Sequence, residues 1–175
     1  VLMAGSATAA VFEFAGFSEA RSSEDVESII VPAPEGTTPG DLLIAAVATD
    51  QDTAADLAPE SGLGWIPLSI GTQVKNVTLG VWWKVAASEP SGYEFTWTGE
   101  EQVYAWVMRI SGQKPGAPII GWADEVTVNS TEAGCASVFA HAPDSMILRI
   151  GAFDDDDIAE DDAGLGRLSR PRHRD

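Results

Sequence analysis

Cysteine is nearly missing from this 175-residue chain. Cys135 stands alone, so no intrachain disulfide can form and a thiolate metal site lacks ligands. Histidine is almost as rare, with His141 and His173 only. Bases are few: 10 Lys and Arg face 27 Asp and Glu, for a formal net charge of -17. Such a surface repels DNA, RNA and anionic membranes, leaving cations, neutral glycans and other proteins as partners. No run approaches 18 apolar residues, so no helical membrane span is expected. A helical stripe is missing as well. The opening Val1–Ala10 is small and apolar without a basic stretch, and is read as a flexible arm rather than a secretion signal.

What is present is a succession of short strand patterns. Apolar residues make up 45% of the chain, enough for a core. Val11–Phe17 alternates, and Ser28–Val31 is a short β-branched run stopped by Pro32. Residues 32–40 hold three prolines and two glycines, which predicts a crossing loop. Asp41–Thr49 is apolar on both faces, as expected of a central strand covered on two sides, although a short buried helix fits the same period. Trp65–Ile70, Val77–Ala86 and Tyr93–Trp97 follow as strands, with a turn expected at Gly99–Gln102 before Val103–Ile110. Ile119–Ala123, Ser137–Ala140 and Ser145–Phe153 complete about ten expected strands. The fold class implied is all-β: an antiparallel Greek-key or jelly-roll-like β-sandwich with little or no helix. An immunoglobulin framework is excluded because its paired cysteines are missing.

The organisation expected is an N-terminal arm over 1–10, a sandwich over 11–153, and an acidic loop with an Arg-rich tail over 154–175. Residues 1–166 hold 26 acids and six bases, a net of -20, whereas Arg167, Arg170, Arg172 and Arg174 crowd the last nine positions. Two readings of that end stand open: a basic docking tail, or translation out of frame in GC-rich DNA.

Two constellations offer binding chemistry. Asp154, Asp155, Asp156, Asp157, Asp161 and Asp162 supply closely spaced carboxylates, the ligand type calcium takes, although no EF-hand register exists. Asp50, Asp52 and Asp56 form a weaker cluster. A solvated loop is the simpler explanation of either. Trp65, Trp82 and Trp83 are candidates for stacking on sugar rings; adjacent in a strand, Trp82 and Trp83 must face opposite sides. Core packing is the competing explanation. No Gly-x-Ser-x-Gly elbow, phosphate loop or zinc spacing is found, and Cys135 has no basic neighbour to lower its pKa. Enzymatic function is not expected.

Residues 31–45 (VPAPEGTTPGDLLIA), 64–68 (GWIPL), 81–86 (VWWKVA), 89–97 (EPSGYEFTW) and 146–157 (MILRIGAFDDDD) together resemble β-sandwich domains of tailed-bacteriophage fibre, spike and minor structural proteins, and of related prophage or gene-transfer particles. The resemblance covers roughly residues 11–165. In that group the acidic segment is usually followed by further glycine-rich strands, which this sequence lacks. The resemblance implies a non-enzymatic head or tail component at the virion surface, in contact with copies of itself and other virion proteins, and a role in host-surface attachment. Val1–Ala10 and 154–175 would then be inter-subunit arms. A carbohydrate-binding module or adhesin is the alternative, and a glycoside hydrolase a more distant one.

Overall fold

The computed structural model describes residues 12–73, 77–113, 116–126, 134–139 and 145–153. Among these the architecture is all-β, without helix. Six strands, β1 (Glu13–Pro32), β2 (Leu42–Asp50), β3 (Ala58–Pro59), β4 (Ile66–Gln73), β5 (Val77–Val85) and β6 (Gly92–Ser111), hydrogen-bond into one antiparallel sheet. The order is β1-β6-β2-β5-β4, and β3 pairs with β6 off this path. The all-β, antiparallel expectation is therefore met. The described strands form one connected sheet, not two separate ones.

β2 lies at the centre and is buried along nearly its whole length. Its apolar run allows this because both pleat faces are covered. Leu43, Ala45 and Val47 point to one face, with Trp82, Ala105 and Val107. Leu42, Ile44 and Ala46 point to the other, with Val81, Met108 and Ile110.

The first face closes because β1 and β6 double over. Glu13–Phe17 and Ser28–Val31, from two segments expected as separate strands, belong to the single strand β1; Tyr93–Trp97 and Val103–Ile110 likewise join in β6. The turn expected at Gly99–Gln102 is instead a corner within the strand. From Ser22↔Val103 to Val26↔Glu101, β1 advances four residues and β6 two; from there to Ser28↔Thr96, β6 advances five and β1 two. Surplus residues on alternating strands bend the ladder without ending it. Gly99 takes φ +99°, a conformation that side chains rarely adopt, and so sits where the bend needs it. Beyond the corner, Ile29, Val31, Tyr93, Phe95 and Trp97 come down onto β2 and β5, and Phe95 meets Trp82 at 5.5 Å between ring centroids.

The second face is covered differently. Ile119, Leu148 and Ile150 pack against it, but residues 119–126, 134–139 and 145–153 form no strand. This corrects the expectation of three late strands. Where 119 and 148–150 are in contact, the chain rests on the face of the sheet, and a segment lying there has no strand edge to pair with. The strand-like alternation survives without a ladder: Leu148, Ile150 and Ala152 are half-buried while Arg149, Gly151 and Phe153 are exposed.

Candidate functional site

The three tryptophans singled out from sequence do not share a surface. Trp82 is 2% exposed, with its ring over Gly80, where a β-carbon would come within 2.1 Å of Cη2. Trp65 packs half-buried on the same face, edge-on to Tyr93 at 5.2 Å. The indole N–H of Trp65 is buried and meets no acceptor among the described residues. Trp83 faces the other way, against Ile44 and its neighbours on the second face. The alternation of Trp82 and Trp83 is as expected, but a flat, solvent-facing pair for a sugar ring is not formed.

Asp154, Asp155, Asp156, Asp157, Asp161 and Asp162 lie outside the described residues, as do Val1–Ala10 and His141. Among the described residues no group of three His, Cys, Asp or Glu side chains is arranged to hold a metal. Burial first, then the charges of Asp50 and Asp25, push the Glu101 carboxyl above its usual range. This corner is a site of like-charge crowding.

Two polar clusters tie the folded-over layer to the sheet. Lys84 Nζ meets Glu89 Oε2 at 2.8 Å, both side chains 7% exposed. Glu89 also accepts from the Ala87 N–H at 2.7 Å and from the Tyr93 hydroxyl at 3.0 Å. Burial alone would raise the Glu89 pKa, but the hydrogen bonds from Lys84, Ala87 and Tyr93 and the Lys84 charge outweigh it and hold the carboxyl below its usual range. Tyr93 is driven the opposite way, upward, by burial and then by the Glu89 carboxylate. The ammonium also stands 5.6 Å from the centre of the Trp65 ring. Every charge here is met by a neighbour, so the cluster acts as a brace between β5 and the start of β6. It leaves no unmatched acid or base for proton transfer.

The second brace holds the crossing loop. Asp41 Oδ2 accepts from the Thr38 N–H at 2.9 Å and lies 3.0 Å from Arg109 Nε. Arg109 also donates to the Glu35 carbonyl. Gly36, at φ +70°, leaves room for that guanidinium: a β-carbon there would stand 2.7 Å from Nη1.

What remains is the draped second face. Its covering segments present Ile120, Trp122 (55% exposed), Val126, Met146, Ile147 and Phe153 to solvent. Ser69 of β4 donates to Asp124 at 3.4 Å, placing 116–126 over the β4 side. Ile150 and Gly151 roof a space of about 10 Å³ above Ala46, Ala48, Leu79, Tyr104 and Trp106. That is room for about one water, far below a ligand pocket. These exposed side chains are apolar, the kind of surface that marks contact with another macromolecule. The only sequence signal for these residues is alternating apolar residues, the pattern that read as late strands. Compared with protein-family models, curated proteins and solved structures, the chain matches none.

Proposed function

We propose that this chain is a non-enzymatic structural component of a phage-like particle, a fibre or decoration domain that works through assembly contacts at the virion surface, with host-surface attachment as a second role. The observation that carries this reading is the draped face. Six large apolar side chains lie exposed on segments that cover a sheet face without pairing to it. Exposed apolar side chains gathered on neighbouring segments mark contact surfaces, which a subunit buries against a neighbour. The resemblance of residues 11–165 to tailed-phage β-domains supports the same reading. So does the anionic surface, which disfavours nucleic acid as the partner. The self-contained braces around Glu89 and Asp41 fit a scaffold.

The test is where the chain resides. Particles are purified by density gradient from induced source cells and digested for mass spectrometry. Peptides of this chain that co-sediment with particles support the proposal. Peptides confined to the soluble fraction would overturn it.

A further inference from the structure

The draped face also carries a charge pattern that selects its partner. In a chain of net charge -17, two copies repel wherever acidic surfaces meet. Residues 116–126 and 145–153 contain only Asp124, Glu125 and Arg149 as charged groups. All three are exposed. The described bases Lys84 and Arg109 are already paired, with Glu89 and Asp41. Arg149 has no anionic partner among the described residues, and neither Asp124 nor Glu125 has a cationic one.

Among the described residues, one copy thus presents a cation without an anionic partner on one covering segment and two anions without a cationic partner on the other, with apolar side chains on both. A two-fold axis makes each residue pair occur twice, i to j and j to i, so such a surface is self-complementary. We infer that the draped face docks on a second copy of this chain, Arg149 of each facing Asp124 and Glu125 of the other, with Trp122 and Ile147 in the apolar contact. The charges fix orientation and register, and the apolar residues supply the bulk of the attraction. The inference rests on reading this face as an assembly surface and names the partner it takes.

The experiment is the native mass of the full chain by size exclusion with light scattering, at roughly 100 μM, where a micromolar dimer is mostly formed. A mass twice the 18.4 kDa of one chain is expected. Arg149→Glu, on an exposed side chain, should weaken the dimer roughly tenfold or more, because each contact is reversed twice. Adding Asp124→Arg and Glu125→Arg to that variant restores opposite charges and should restore the dimer. Ile30→Asp, on β1, should leave the mass unchanged. Circular dichroism confirms folding of each variant. A monomeric wild type, a dimer indifferent to Arg149→Glu, a triple variant that stays monomeric, or loss of the dimer in Ile30→Asp would each overturn the inference. A monomer found in purified particles would sink the self-contact and leave the virion reading standing; a dimer absent from particles would do the reverse.

Discussion

The two faces of this sheet are covered by opposite means. On one, the chain doubles its own ladder over, so Tyr93, Phe95 and Trp97 arrive still hydrogen-bonded to β1 and are fixed by the Lys84–Glu89–Tyr93 brace. On the other, Ile119, Leu148 and Ile150 rest on the sheet from segments outside any ladder, while Ile120, Trp122, Ile147 and Phe153 turn outward. Both coverings bury the sheet. Among the described residues, only the first is satisfied by a backbone ladder. The difference separates where the ladder holds the fold from where the proposed partner would sit.

The largest expected break comes from the folded-over face. Trp82→Ala should cost about 3–5 kcal/mol in urea unfolding, since it empties a fully enclosed aromatic site. Trp122→Ala should change monomer stability by less than about 0.5 kcal/mol. Equal costs at the two tryptophans would erase the contrast.

Next is the brace. Glu89→Gln removes the carboxylate from beneath a buried ammonium and should cost about 3 kcal/mol at pH 7. The Glu89 pKa is lowered on folding, so its stabilisation is present above the usual carboxylate range and is lost as pH falls through the folded value. Wild type should therefore lose stability on acidification below about pH 4.5, and the variant should lose less. Parallel pH curves would show that the pair contributes nothing.

Gly80→Ala is expected to cost about 1–3 kcal/mol by overpacking against Trp82 and Leu57. A neutral result in thermal melts would mean the Trp82 ring shifts freely.

The smallest effect should be a gain. Glu101 has its pKa raised, so its charge opposes folding at neutral pH and the opposition fades as protonation sets in on acidification. Glu101→Gln should raise Tm slightly at pH 7, with the advantage shrinking toward lower pH. A loss at pH 7 would show that the carboxylate is needed at the corner.

The legibility of these regions in the sequence differs for the same reason. β2 and β5 could be read because their residues lie in the interior of the sheet, where burial imposes an apolar pattern. The middle of β1, Ser18–Glu27, gave no strand signal because it lies on the sheet's edge, where polar residues are tolerated. Gly99-Glu100-Glu101-Gln102 carries turn chemistry, yet the ladder bends there and continues, because β1 compensates with its own surplus residues. Ser145–Phe153 has the alternation of a strand but no edge to join, and alternation reports facing, not pairing. The Trp82–Trp83 alternation was readable, but which of the two would be enclosed depended on the doubling of β6, which nothing local encodes. Arg149 was invisible as a candidate because a single base acquires meaning only once its neighbours in space are known.

Hydrogen exchange of the full chain at dilute and at concentrated conditions tests the contrast most directly. Amides of β2 and of Val103–Ile110 should be strongly protected at both concentrations, since each lies in a ladder within one chain. Amides of 116–126 and 145–153 should exchange quickly when dilute and become protected on concentration, as a second copy covers them. Protection of those segments already complete in dilute solution, or absent at every concentration, would contradict the division between a self-sufficient face and one that waits for a partner.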